Sequence, residues 1–199
     1  MKKLIAIFGI NGAGKTSVVK NLLMSDFEKS DGDFLFDCFD FFEKQNEFGT
    51  YTVSKGGKYV AVGNYSNKCG GADSIKTVEN YFGMINFLAE KYPDATLCVE
   101  GVLQRAIDDL TNCYEELKKK GYEEHIIKLE VSLEQAVERV KNRNGHMPDV
   151  DCIKAKVVNT GRLFKKLQDS GKFNCHVIDT DNKTIEQVYQ EFENISKIS

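Results

Sequence analysis

Several things are scarce in this chain, and each scarcity narrows the reading. No apolar run is long enough to cross a bilayer. Met1-Lys2-Lys3 leads directly into an apolar stretch without a cleavage-site pattern, so a secretory leader is not expected. The six cysteines are spread from Cys38 to Cys175 with no C-x-x-C pair, which argues against a zinc ribbon and against a disulfide scaffold. They read as reduced thiols, and the expected location is a cytoplasm. There is no repeat, linker or low-complexity segment. The net charge of −3 leaves no excess of positive charge for a surface that grips nucleic acid all over, although a local basic channel stays possible. Arginine is rare, at four residues: Arg105, Arg139, Arg143 and Arg162.

Against this background stands the octapeptide Gly9-Ile10-Asn11-Gly12-Ala13-Gly14-Lys15-Thr16, which matches G-x-x-x-x-G-K-[ST]. The apolar run Leu4–Phe8 before it reads as a buried strand, and Val18, Val19, Leu22 and Leu23 after it fall at helical spacing. Strand, loop and helix are the context a phosphate-binding P-loop needs. Glycines allow the tight bend that turns N–H groups toward an anion, and the helix N-terminus adds its positive dipole end. Asn11, Gly12, Ala13, Gly14, Lys15, Thr16 and Ser17 are the expected nucleotide-binding residues. Lys15 reaches the β- and γ-phosphates, and the Thr16 hydroxyl is a Mg²⁺ ligand.

Strand-like runs at Leu4–Phe8, Phe34–Phe36, Thr96–Val99, Ile126–Val131 and His176–Ile178 alternate with helical patterns near residues 75–91, 103–120, from Ser132 and from Thr184. The last two helices open on capping boxes, Ser-Leu-Glu-Gln and Thr-Ile-Glu-Gln. This alternation predicts an α/β fold: one domain over residues 1–199, with a three-layer parallel sheet covered by helices on both faces. Tyr51-Thr52-Val53 and Tyr59-Val60-Ala61-Val62 around Gly56-Gly57 predict a β-hairpin insert over about 49–74, between the second and third core strands. From Gly49 through Ala72 nothing is acidic, while Lys55, Lys58 and Lys68 are basic.

The chain lacks the guanine-reading N-K-x-D, since Asp181-Asn182-Lys183-Thr184 does not supply it, and it lacks an L-S-G-G-Q-like segment. What remains resembles the nucleotide-kinase-like group of P-loop phosphotransferases. That resemblance implies an ATP- and Mg²⁺-dependent kinase. Glu100, at the tip of Thr96–Val99, would hold Mg²⁺ with Thr16 or orient the acceptor. Arg139 and Arg143 lie four apart on one helix face and resemble the start of a lid, over about 139–152, whose arginines offset charge on the transferring phosphoryl. His146 belongs to the same loop, and His125 and His176 read as structural. The turn 179–182 would border the adenine. Scarce arginine favours a hydroxyl acceptor over a phosphate, and a hydroxyl needs a base. Asp37 and Asp73 are the candidates, with Asp40 behind them. Asp73 also has the character of a helix N-cap.

The segments Val62-Gly63-Asn64-Tyr65, Cys69-Gly70-Gly71-Ala72-Asp73 and Val99-Glu100-Gly101 resemble bacteriophage P-loop kinases that phosphorylate the 5-hydroxymethyl group of hydroxymethyluracil within DNA. This resemblance implies DNA containing a hydroxymethylated base as partner, with the base stacked on Tyr51, Tyr59 or Tyr65 and phosphates met by the lysines of the hairpin or of Lys154–Lys166. A kinase of free nucleosides or nucleoside monophosphates is the competing enzyme, and a nucleotide-gated switch the competing binding protein. The oligomeric state is not legible in the sequence.

Overall fold

The computed structural model describes residues 2–25, 41–66, 70–72, 75, 77–101 and 107–196. The strands are β1 (Lys2–Phe8), β2 (Phe41–Asn46), β3 (Gly49–Ser54), β4 (Tyr59–Val62), β5 (Thr96–Glu100), β6 (Tyr122–Glu130) and β7 (Asn174–Asp179). The helices are α1 (Lys15–Met24), α2 (Val78–Lys91), α3 (Ile107–Lys119), α4 (Leu133–Asn144), α5 (Val150–Asp169) and α6 (Ile185–Ser196). The strands form one sheet in the order β2-β3-β4-β5-β1-β6-β7. The five from β4 to β7 are parallel, and β3 and β2 continue the sheet antiparallel, so it is mixed.

Side-chain alternation along β1 builds the two interior layers. Leu4, Ala6 and Phe8 face a core completed by Tyr81, Ile85 and Leu88 of α2 and Tyr114 and Leu117 of α3. Ile5 and Ile7 face the other, completed by Val18 and Leu22 of α1 and Val188 and Phe192 of α6. A central parallel strand is covered on both faces, so β1 is an unbroken apolar run. Helix α5 contributes to both layers: Ile153 to the second, and Leu163, Phe164 and Leu167 to the first. Over its 20 residues, roughly 30 Å at 1.5 Å per residue, it therefore passes across one end of the sheet.

One of the two capping boxes closes reciprocally. The Ser132 side chain accepts from the Gln135 N–H, but the Ser132 N–H donates to Asp181 Oδ1 and not to Gln135. The Thr184 and Gln187 side chains accept from each other's backbone N–H groups. Helix α2 is capped by Thr77, whose side chain accepts from the Asn80 N–H.

The hairpin sits differently from the expected insert. Its second arm, β4, pairs in parallel with β5 and is itself a core strand. Phe34–Phe36, Asp37, Asp40 and Asp73 lie outside the described residues. Phe41, the first described residue after the two aspartates, pairs with Ser54 and opens β2 at the end of the sheet away from Phe8 and Glu100. The Ser54–Lys58 turn is at that same far end, because Thr96 N donates to Lys58 O at the start of β5. Lys55 and Lys58 are thus separated from the P-loop end by the length of β4, roughly 13 Å at 3.3 Å per residue. Tyr51, Tyr59 and Tyr65 are 2%, 3% and 0% exposed, so all three are interior side chains with no face for an incoming base. Tyr51 joins the first core layer, and Tyr59 and Tyr65 join the second.

One carboxylate is stored in the interior away from the P-loop. Glu124 of β6 lies under α3, and burial, opposed by Lys118, lifts its carboxyl to about 7. An unfolded chain releases that proton near 4.5. Between the two values the unfolded state binds fewer protons, so stability falls as pH rises through that window. Glu124→Gln is expected to raise the melting temperature by a few degrees at pH 8 and to change it little at pH 4.5, as measured by calorimetry at both pH values.

Candidate active site

β1 is the point at which chain progression reverses: β4 and β5 lie on one side of it, β6 and β7 on the other. Open α/β sheets bind ligands at the carboxyl ends of strands beside such a reversal. The P-loop occupies this place, running from the end of β1 to Lys15 at the start of α1. Gly12 has φ +85°, and a Cβ there would meet the Ala136 carbonyl oxygen of α4 at 2.7 Å. No larger residue lets the loop pack so closely on α4. Gly14 caps α1 in the left-handed conformation with φ +90°.

A cavity of about 650 Å³ opens over the loop. One side is bounded by Thr180, Lys183, Ile185 and Val188, from the β7–α6 turn. Gly70, Gly71, Ala72, Ile75, Glu100 and Gly101 bound the other. Arg139, Arg143 and the α5 residues Lys156, Thr160 and Leu163 complete the wall.

Glu100 is 5% exposed, and its Oε1 accepts from the Thr16 hydroxyl at 2.9 Å. The two expected metal ligands thus share one point at the floor of the cavity. A hydroxyl and a carboxylate oxygen at that separation suit a small hard cation that also binds phosphate oxygen. Among the described residues no group of three or more His, Cys, Asp or Glu side chains could hold a metal by itself. That fits Mg²⁺, which usually takes one or two protein oxygens and completes its shell with water and phosphate.

Lys15 Nζ donates to Ile10 O across the loop at 3.1 Å. Arg139 is placed differently from a lid arginine that is held in reserve. Its guanidinium donates to Gly12 O at 3.2 Å, Gln135 Oε1 at 3.1 Å, Thr180 Oγ1 at 3.2 Å and Thr180 O at 2.7 Å. It therefore pins the P-loop and the β7–α6 turn to α4. Arg143, one turn on, is exposed at the cavity rim with Nε on Asn144 Oδ1 at 3.1 Å. His146 is exposed in the turn after α4, and its Nδ1 lies 3.2 Å from Met147 O. His125 and His176 stack at 5.9 Å within the sheet, and burial lowers both below the usual imidazole value.

The Gly70-Gly71 segment was read from sequence as part of a loop, and the structure brings it against the P-loop. A Cβ on Gly70 would meet Thr16 Cγ2 at 2.9 Å and the Tyr65 ring at 2.7 Å. A Cβ on Gly71 would lie 3.2 Å from Glu100 Cδ. The segment is fixed from both ends. Gly71 bridges Asn64. The Glu43 carboxylate accepts from Asn64 Nδ2, the Tyr65 and Ser66 N–H groups and the Ser66 hydroxyl. Tyr65 is sealed beneath, and burial together with the Glu100 charge pushes its phenol well above the ordinary value. Sequence reading missed Glu43, and it noted Gln135, Thr180 and Lys156 without these contacts, which reach partners 21 to 145 residues away. Only a fold connects them.

No family model matches the chain. A 5-hmdU DNA kinase of Bacillus phage SP10 is 28% identical over 190 residues, which is 92% of this chain and 27% of that protein. The chain thus spans about a quarter of its relative's length. A gluconokinase from Sinorhizobium meliloti 1021 superposes with a TM-score of 0.50 at 12% identity, covering 98% of this chain and 91% of that one. The chain has the P-loop kinase fold. Deoxyadenosine kinase from M. mycoides, solved with bound dCTP, follows at TM-score 0.47 and 16% identity, with 98% and 100% covered. Among the described residues no helix is long and apolar enough to cross a membrane.

Gly71 has φ +102° and faces the Glu100 carboxyl. Gly71→Ala is expected to lower nucleotide affinity at least roughly tenfold, since the strained position costs on the order of 1–2 kcal/mol before any displacement of Glu100. Gly161→Ala, in the open middle of α5, is the matched control and should be neutral or slightly stabilising. Titration with a fluorescent ATP analogue and melting curves check both.

Proposed function

We propose that this chain transfers the terminal phosphoryl group of ATP to a hydroxyl, and that the acceptor is the 5-hydroxymethyl group of hydroxymethyluracil in DNA. The observation that carries the reading is the approach of Gly70-Gly71 to Thr16 and Glu100. The segment most like the phage DNA kinases thereby forms the acceptor side of the P-loop mouth, and the relative with that printed activity aligns with 92% of the chain.

In this reading the loop N–H groups and Lys15 hold the β- and γ-phosphates, with the nucleoside toward Thr180, Lys183, Ile185 and Val188. Thr16 and Glu100 would hold Mg²⁺, which would supply charge neutralisation on the phosphate oxygens. The acceptor hydroxyl oxygen bonds to the γ-phosphorus as the bond to the ADP oxygen breaks, and the hydroxyl proton passes to a carboxylate. Asp73 is assigned as that base. It stands in sequence between Gly71 and Ile75, both of which line the cavity, whereas Asp37 precedes a strand that begins at the far end of the sheet. Arg143 at the rim supplies the mobile positive charge, while Arg139 positions the loop. Residues 1–199 act as one kinase domain, with residues 139–152 as its lid.

A second reading is favoured by a specific observation. Tyr51, Tyr59 and Tyr65, expected to stack on a base, are buried, and Lys55 and Lys58 stand at the opposite end of the sheet. That suits a free nucleoside or nucleotide, which needs no extended contact surface. Transfer from γ-labelled ATP to hydroxymethyluracil DNA, unmodified DNA and a panel of free nucleosides and monophosphates separates the two. Label on modified DNA alone supports the first reading, and label on a free compound alone replaces it with the second. Lys15→Ala should lower transfer at least ~100-fold in either case. Asp73→Asn should cut turnover steeply with ATP binding retained, and unchanged turnover removes Asp73 as the base.

A further inference from the structure

A residue outside the P-loop and the lid arginines also meets the phosphate site. Lys156 Nζ of α5 donates to Asn11 Oδ1 of the P-loop at 3.2 Å, a contact that joins positions 145 residues apart. Both residues line the cavity.

Its position follows from how α5 is packed. Ile153 is anchored in one core layer and Leu163 in the other, so the turns between them cross over the P-loop end of the sheet. Lys156 lies on that crossing, and Thr160, one turn further, is buried on the same face at the cavity wall. The β7–α6 turn also borders the cavity, across from Gly70, Gly71 and Glu100. A nucleotide with its nucleoside toward that turn runs its phosphates along the loop toward Thr16 and Glu100. Lys156 stands beside that path at Asn11.

Of the other cations at the cavity, Lys15 belongs to the loop itself, Arg143 stands at the rim and Lys183 pairs with Glu191. Arg139 is engaged by four oxygen acceptors. Lys154, two residues before Lys156, pairs with Asp151 on the outer face of α5. Lys156 has a neutral amide oxygen as its partner at the loop. An ammonium bonds more strongly to an anionic phosphate oxygen than to an amide oxygen. The side chain thus gains by exchanging Asn11 for a phosphate placed beside it.

We infer that Lys156 recognises the terminal phosphate of the donor, with Asn11 as its resting partner, so that α5 distinguishes a nucleoside triphosphate from a diphosphate. This rests on the phosphotransferase reading above and is independent of the acceptor. It assigns α5 a part in product release: once the γ-phosphoryl has moved to the acceptor, ADP offers Lys156 no partner, and Asn11 takes it back.

The test is calorimetric titration of the full chain with MgATP and MgADP. The unaltered chain is expected to bind ATP more tightly than ADP. Lys156→Ala should weaken ATP binding by roughly tenfold, the worth of one bond to a charged group, and leave ADP binding as it was. Lys156→Arg should keep most of the preference. Asn11→Ala removes the resting partner and keeps the cation, so the preference for ATP over ADP should persist whatever the change in affinity for both. Equal weakening of ATP and ADP by Lys156→Ala, or no change in either, overturns the inference and leaves Lys156 a structural tie between α5 and the loop. A loss of ATP preference in Asn11→Ala equal to that in Lys156→Ala also overturns it, because the amide is then the recognising group. If the unaltered chain binds neither nucleotide, the phosphotransferase reading fails and this inference fails with it. Binding with an unaltered ratio in Lys156→Ala removes Lys156 alone.

Discussion

A loop that turns its N–H groups inward to meet an anion must turn carbonyls outward, and each of those needs a donor. Much of the site satisfies that requirement. Ile10 O receives Ala13 N and Lys15 Nζ, Gly14 O receives Val18 N as α1 begins, and Gly12 O receives Arg139 from α4. Arg139 in turn holds Thr180, and Ser132 and Gln135 beside it hold Asp181 and Asn182. The start of α4 and the β7–α6 turn are therefore fastened together around the back of the loop. The geometry offered to a phosphate is set by groups that never touch it. Such fixed donors need no rearrangement when charge shifts during transfer, which is where electrostatic catalysis gains most.

The acceptor side is built by exclusion of side chains. Three glycines, Gly63, Gly70 and Gly71, let backbone lie against backbone and against Thr16 and Glu100. Tyr65 fills the space below and Glu43 gathers the loop's donors from the neighbouring strand. The surface left facing the cavity is small and polar at its base.

The parts legible in sequence were those encoded locally. The P-loop, the strands around Leu4–Phe8 and Thr96–Val99, the hairpin arms and the helix caps at Ser132 and Thr184 depend on residues within a few positions of one another, and each formed where expected. What escaped depends on which strand pairs with which. Tyr59–Val62 was legible as a strand but not as a core strand, because pairing with β5 leaves no mark in its own residues. From that came the assumption that the lysines at 55 and 58 face the site and that the tyrosines are available for stacking. Arg139 and Arg143 were correctly placed on one helix face, yet their different duties depend on Thr180, some 41 residues from Arg139. Lys156 looked like one more solvated lysine until the crossing of α5 set it over Asn11.

The close meeting of Gly63 with Gly71 has a bearing on how this site changes over evolutionary time. Asn64 and Gly71 are bridged, so the chain leaves and re-enters the framework at nearly the same place. Lengthening a closed excursion costs only the slow logarithmic growth of loop entropy, and the anchors keep their positions. Insertions between Ser66 and Gly70 therefore keep Tyr65, Gly70 and Gly71 in place beside Thr16 and Glu100. A chain with this clasp can change one short stretch while the contacts of Thr16 and Glu100 are inherited intact.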